Sequence, residues 1–285
     1  MILKNKLKKM TCQSFDFKQF HQEMKIRGYR KKTIESYIYY NQRLLDFCEK
    51  RPLQVTSQDI KNFLESLLDK KRSRETLRLV YAALNCYYCS FLNKKVMATV
   101  RLPKKSKKRI VPLTKVEIIN LIDNIENDKH KLLIELMFSA GLRVSEAVKI
   151  KIKDILVDEK TVFIRNGKGG KDRVSILSER FLEHFKEEIE KNKFRYTTDS
   201  YLFSGRQGHL TVRSVQMIIK RVAKKAKLTK KVYPHLLRHS FATELIKNKT
   251  DPKQLQDIMG HSDIRTTEQY VHIARDFSGV RSPLD

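Results

Sequence analysis

A basic segment that contains two prolines divides the chain into two parts with different sequence patterns. In RLPKKSKKRIVPL, at residues 101–113, Pro103 and Pro112 interrupt the helical periodicity, because proline cannot donate a backbone hydrogen bond within a helix. We therefore predict an interdomain linker at 97–112. Five cations lie between the two prolines, and we predict that they contact a polyanion: Lys104, Lys105, Lys107, Lys108 and Arg109.

The chain has 285 residues, which is enough for two domains with separate cores. Before the linker we predict a flexible basic arm at 1–13 and a helical domain at 14–96. Apolar residues in this domain recur at intervals of three and four, and polar residues that can cap a helix precede the runs. We predict about four helices, with caps at Thr33, at Thr56 or Ser57, and at Ser73.

The cysteines predict neither a disulfide framework nor a metal site. Four cysteines in a chain of this length are too few for a fold held together by disulfide bonds, and they indicate a reducing compartment. Cys86 and Cys89 have the spacing of metal ligands, but no second pair follows at a zinc-finger interval. Their neighbours are apolar and helical in pattern, so we predict that both thiols pack as small hydrophobic side chains.

The part at 113–285 combines helices with a β-hairpin. Thr114 and Glu117 form a capping-box pattern that opens the domain. In TVFIRNGKGGKDRVSIL, at 161–177, two strand-like runs surround Asn166-Gly167, a strong signal for a tight hairpin turn. Further helices are predicted around 179–191 and 211–227. The predicted fold class is therefore mainly α, with a small antiparallel β-sheet in the second domain.

The charge of the chain indicates a polyanionic partner. Lys and Arg number 60 against 32 Asp and Glu, which leaves a formal charge of +28. A second cluster at 220–231 contains seven cations and no acid, and from it we predict that Lys220 and Lys224 bind DNA. The alternative is a solvated lysine-rich surface. No apolar run reaches the length of a membrane span, and 1–13 does not have the pattern of a secretory signal, so we expect a cytoplasmic protein.

The stretch HLLRHSFATELI, at 235–246, places three basic side chains on one face of a predicted amphipathic helix. His235, Arg238 and His239 are three or four positions apart and therefore cluster, and such a cluster favours an anion. Farther along the chain, Asp251 and Pro252 open a helix that Gly260 ends. His261 follows directly, and Tyr270 lies nine residues later.

These motifs, with AGLRVSE at 140–146, resemble those of the tyrosine recombinases, and the overall layout is similar to the Xer branch over nearly the full length. The resemblance implies a helical, SAM-like core-binding domain at 14–96 and a mixed α/β catalytic domain at 113–285. It also implies the active-site residues. Arg143 and Arg238 would bind the scissile phosphate, and Tyr270 would be the nucleophile.

Four further positions match the family pattern. His235 and His261 would complete the pocket, Lys168 would donate a proton to the leaving 5′-oxygen, and Glu146 would support the site. Considered alone, Lys168 is more simply interpreted as a solvated turn residue, and Glu146 as a structural acid. His239 and His272 are predicted to be structural, because the family's pocket does not need them.

The function implied is site-specific recombination of duplex DNA through a 3′-phosphotyrosyl intermediate, with Xer-like resolution of chromosome or plasmid dimers as the expected task. An integrase of a phage, virus or transposable element is an alternative with the same chemistry. A non-catalytic architectural or regulatory DNA-binding protein is an alternative from another class. No metal, ATP or other cofactor is expected. The expected partners are a nucleoid-associated DNA site, one dimer per site, a tetramer at synapsis, and in some systems an accessory or motor protein.

Overall fold

The computed structural model describes residues 15–103, 110–165, 167, 172–205 and 208–260. The chain divides into two compact units, at 1–107 and 108–285. None of the helices within the described residues is long and apolar enough to cross a membrane. The predicted cations Lys104, Lys105, Lys107, Lys108 and Arg109 lie outside the described residues, as do Lys168, His261 and Tyr270.

The first unit is helical, and its helices enclose one apolar core. Thr56 and Ser73 cap helices as the sequence predicts, each accepting a hydrogen bond from a backbone N–H three residues ahead. The predicted cap at Thr33 is wrong: the helix begins at Lys31, where two lysines that favour helix extend its first turn. The helices are α1 (Lys18–Ile26), α2 (Lys31–Cys48), α3 (Ser57–Asp69) and α4 (Arg74–Asn85), followed by a π-helical turn at Cys86–Phe91.

The cysteine pair lies in this π-helical turn. Cys86 is buried and Cys89 is half-buried, with its thiol 3.3 Å from the carbonyl oxygen of Lys94. Met97 and Val100, which fall within the predicted linker, are both buried in the core of the first unit. The packed part of this unit therefore extends at least to Val100.

The second unit combines helices with two small antiparallel sheets. In the larger sheet, the strand at 161–164 lies between those at 155–156 and 173–176, and its pairing with 173–176 forms the predicted hairpin, with Ile164 opposite Arg173. The helices are α5 (Lys115–Asp123), α6 (Asp128–Ser139), α7 (Val144–Ala147), α8 (Glu179–Lys191), α9 (Val212–Lys225), α10 (Pro234–Lys247) and α11 (Pro252–Met259). The strands are β1 (Ile155–Leu156), β2 (Thr161–Ile164), β3 (Arg173–Ile176), β4 (Ser204–Gly205) and β5 (Gly208–His209). The predicted fold class is confirmed.

Helix α10 lies at the centre of the second unit and contacts α6, α9 and α11. The sequence predicts an amphipathic helix here, and that prediction is wrong. Polar side chains on the presumed outer face are also buried, because the neighbouring helices enclose α10 on most sides. Ser240 illustrates this: its hydroxyl accepts a hydrogen bond from the backbone N–H of Leu113, at 2.8 Å, and so ties the start of the unit to α10.

Candidate active site

Arg143 is positioned by a turn between α6 and α7. Gly141 has a φ of +58°, in the left-handed region that glycine adopts without strain, and this reverses the chain after α6. Arg143 then stands at the N-cap of α7 in an extended conformation. The Glu146 carboxylate accepts hydrogen bonds from the Arg143 backbone N–H, at 2.9 Å, and from its guanidinium Nη1, at 2.7 Å.

Glu146 is buried and is shared by two arginines. Arg173 of β3 donates from Nη1 to Oε1, at 3.0 Å, and from Nη2 to Oε2, at 2.7 Å, so that the pair is bidentate. Burial alone would raise the pKa of this carboxyl, but the hydrogen bonds and charges of Arg173 and Arg143 outweigh burial and lower the pKa of Glu146 to about 2. The carboxylate is therefore ionised at any neutral or mildly acid pH.

Arg238 is almost completely buried, with 1% of its surface exposed. Its guanidinium donates from Nη1 to the carbonyl oxygen of Gly141 and from Nη2 to that of Met259. A buried charge is stable only when its donors are satisfied. These bonds fix the guanidinium plane between the α6–α7 turn and the end of α11.

Three arginines meet the last carbonyls of helix α11. Arg173 Nε donates to the carbonyl of Ile258, at 3.0 Å, Arg238 donates to that of Met259, and Arg143 Nη2 donates to that of Gly260, at 3.4 Å. The C-terminal carbonyls of a helix lack partners within the helix and carry partial negative charge, which favours cations there. Arg143 and Arg238 are thus held at adjacent residues of one helix end.

The two histidines of α10 form an edge-to-face pair, with ring centroids 4.5 Å apart. Desolvation, and then the charges of Arg238 and Arg143, lower the pKa of His235 below its ordinary value. Burial, followed by His235 and Arg238, lowers the pKa of His239 to about 4. Both rings are therefore neutral at pH 7, and the positive charge at this turn of α10 comes from arginine.

Arg143 and His235 line a groove of about 1030 Å³ on the second unit. Helix α9 supplies Lys220 and Lys224 to the same groove, so the two lysines predicted from the second cluster lie in one groove with Arg143 and His235. Lys230, also at the groove, donates to the Glu117 carboxylate at 2.7 Å and to the Pro112 carbonyl at 3.0 Å. Other groove-lining residues that were not predicted as contacts include Gln216, Met217, Arg221 and Lys231.

The structure therefore brings together six of the predicted residues: Arg143, Glu146, Lys220, Lys224, His235 and Arg238. Gly260 is the last residue described before His261. Arg173, which contacts Glu146 and the end of α11, is a further residue that was not predicted from the sequence. It follows Lys168 by five positions in the sequence, but the hydrophobic alternation in RVSI indicates a solvent-facing arginine.

Sequence and fold comparisons agree over both units. The sequence model of the "Phage integrase family" matches residues 112–276, and that of the "Phage integrase, N-terminal SAM-like domain" matches residues 17–98. "Tyrosine recombinase XerA" of Pyrococcus furiosus is 33% identical, and the similarity covers 94% of this chain and 92% of the relative. An "Integrase/recombinase" of Escherichia coli is 27% identical, with the same two coverages.

Among solved structures, the fold is similar to that of a lambda integrase (75–356) dimer bound to a COC′ core site. The identity is 21%, the TM-score is 0.71, and the similarity covers 92% of this chain and 96% of that chain. At this identity the likeness concerns the fold.

Proposed function

The chain belongs to the phage integrase family of tyrosine recombinases, a class of DNA strand-transferring enzymes, and we propose that it cleaves and rejoins duplex DNA at a specific site through a 3′-phosphotyrosyl intermediate. One observation carries this proposal. Arg143 and Arg238 are fixed at adjacent carbonyls of one helix end, and Arg143 and His235 face a groove whose wall is basic.

In this proposal, the two guanidinium groups bind the non-bridging oxygens of the scissile phosphate. Attack on a phosphodiester adds negative charge to these oxygens, and a preorganised pair of planar donors stabilises that charge. The Glu146 carboxylate holds Arg143 in place. It stays ionised because its pKa is about 2. His235 is neutral at pH 7 and can exchange a proton or a hydrogen bond with the phosphate.

The remaining chemistry is assigned to residues outside the described part of the chain. The Tyr270 hydroxyl gives its proton to a neutral imidazole of the pocket and attacks phosphorus, the bond from phosphorus to the 5′-oxygen breaks, and Lys168 donates a proton to that oxygen. His261 completes the pocket. A 5′-hydroxyl then attacks the phosphotyrosine in the reverse sense, so the phosphoester is exchanged and not hydrolysed. The scheme needs neither ATP nor a metal ion.

We propose duplex DNA as the occupant of the groove, with Lys220 and Lys224 at its phosphates. Replacing either lysine by alanine is expected to reduce the slope of log affinity against log salt concentration by about 1, because each lysine displaces about one condensed counterion. Fluorescence anisotropy over a salt series measures this slope. Lys186→Ala, on α8 and away from the groove lining, is the matched control; an equal effect there would contradict a local contact.

For the biological task we propose Xer-like resolution of chromosome or plasmid dimers, with a dimer on each site and a tetramer when two sites pair. The similarity to XerA over 94% of this chain favours this task. The similarity to an integrase/recombinase favours the second candidate, integration of a mobile element with the same chemistry. An accessory or motor protein and a nucleoid location in the cytoplasm belong to the first proposal.

The test is a covalent adduct. Duplexes selected from a random pool by binding to the protein are rebuilt with a nick beside the candidate cleavage position, so that the cleaved strand cannot rejoin. The protein is expected to form a protein–DNA adduct that survives denaturation, and Tyr270→Phe, which removes only the hydroxyl oxygen, is expected to form none. Tight binding without any adduct by the unmodified protein would favour an architectural role instead.

A further inference from the structure

We propose that Arg173 is a positioning residue for strand cleavage, which acts through Glu146 and the end of α11 and not on DNA itself. The proposal rests on the proposed function, because it concerns the same reaction. The Arg173 side chain is 8% exposed, and the residue is not part of the groove lining. Its effect on the phosphate must therefore pass through the groups that it contacts.

The first of these groups is the Glu146 carboxylate. It accepts four hydrogen bonds, two from Arg173 and two from Arg143, so each oxygen receives one bond from each arginine. Two hydrogen bonds in one plane fix the carboxylate orientation, which in turn fixes the guanidinium of Arg143. Without Arg173, the buried carboxylate would keep its two hydrogen bonds from Arg143 and could rotate together with that side chain.

The second group is the end of α11, which leads directly to His261. Arg173 Nε donates to the Ile258 carbonyl, at 3.0 Å. Gly260, with a φ of +60°, packs against the same side chain so closely that a Cβ there would lie 2.8 Å from Arg173 Cδ. One side chain of β3 thus contacts both α7, which follows Arg143, and the segment that precedes His261.

Two substitutions test this role. Arg173→Lys keeps the charge but loses the planar fork, and Arg173→Gln loses the charge as well. Single-turnover cleavage at saturating DNA is expected to fall about 100-fold for Lys and further for Gln, because a small misplacement of catalytic groups has effects of that size. The dissociation constant for DNA is expected to change less than about 3-fold, since the groove retains its cations.

Arg180 provides the matched control for a loss of stability. It also pairs with a buried acid of the second unit, Glu135, at 3.2 Å, and with Asp123, at 2.8 Å. None of these three residues lines the groove. Arg180→Gln is expected to lower the thermal midpoint much as Arg173→Gln does, but to leave the cleavage rate of the folded protein unchanged.

A pH profile separates positioning from general destabilisation. In the unmodified protein, Glu146 stays ionised down to about pH 2. Burial raises the pKa of Glu146, and in Arg173→Gln only Arg143 of the two arginines still lowers it, so this pKa is expected to rise. The loss of cleavage on the acid side of the profile is then expected to begin at a higher pH. His235 is common to both proteins, so the displacement of the acid limb reports Glu146. Arg180→Gln is expected to show no such displacement.

If the unmodified protein forms its adduct, and Arg173→Lys and Arg173→Gln cleave DNA at the same rate as it does, the proposal is overturned. An equal loss in Arg180→Gln, or an acid limb that does not move, would also overturn it in favour of a purely structural role. Absence of the adduct in every protein, including the unmodified one, would instead contradict the proposed function.

Discussion

Replacing Arg238 by lysine is expected to lower the rate of DNA cleavage about 10²- to 10³-fold, the usual loss when one preorganised donor to a developing anion is removed. Arg238 is buried, and its guanidinium bonds the carbonyls of Gly141 and Met259 at once. A lysine ammonium is a point charge that cannot hold both carbonyls and present a planar fork to a phosphate. Single-turnover cleavage of a nicked duplex measures the loss.

Lysine is the informative substitution because it keeps the charge. Arg238→Ala is expected to abolish cleavage while most DNA binding persists, but it also leaves two carbonyls without this donor and a cavity in the core, which lowers stability. Binding by anisotropy and the thermal midpoint are therefore measured on the same samples. Arg180→Lys serves as control for an arginine-to-lysine change in the same unit. Parallel loss of binding and cleavage in Arg238→Lys would count against a catalytic role.

Gly141→Ala is expected to destabilise the second unit by about 2–5 kcal/mol, from a left-handed backbone and an overpacked core together. A Cβ on Gly141 would lie 2.3 Å from Cδ1 of Phe241, which is completely buried on α10. The ring cannot withdraw without moving α10, and the Gly141 backbone cannot move without displacing the carbonyl that Arg238 binds. The thermal midpoint of the second unit should fall by about 10 °C.

Gly208→Ala separates the two causes of this destabilisation. Gly208 lies in the same unit and also has a positive φ, +96°, but a Cβ there would meet Tyr201 at 3.7 Å, an ordinary contact. This variant should show only the backbone cost, about 1–2 kcal/mol. If both variants shift the midpoint equally, the contact with Phe241 contributes nothing and the argument from the core fails.

Local rules in the sequence predicted several helix starts and the hairpin. Thr56, Ser73 and Thr114 cap helices because each hydroxyl accepts a hydrogen bond from the backbone N–H three residues ahead. This local bond does not depend on how the helix packs in the folded unit. The motif residues Arg143 and Arg238 were identified by order and spacing. What their guanidiniums bind, the backbone carbonyls of 141, 259 and 260, depends on residues up to 117 positions away in sequence.

Strand β3 shows why the burial of individual side chains in the site could not be predicted from the sequence. Alternation in RVSI favours burial of Val174, with Arg173 and Ser175 facing solvent. In the structure Val174 is 45% exposed, whereas Ser175 is buried and donates to the Ala140 carbonyl at 2.8 Å. The buried face is polar because it meets the carbonyl ends of α6 and α11, which need donors. Only the tertiary arrangement reveals that need.

Helices α9 and α10 differ in how freely they can change over evolutionary time. Nearly every face of α10 is packed, so a substitution there alters the folded state of the second unit. Helix α9 buries one side and presents Gln216, Met217 and Lys220 to the groove. Substitutions on the groove side of α9 can therefore change the surface of the groove at little thermodynamic cost, while the packing around α10 stays the same. The fold therefore places tolerance of change on the exposed side of α9 and constraint on the enclosed α10.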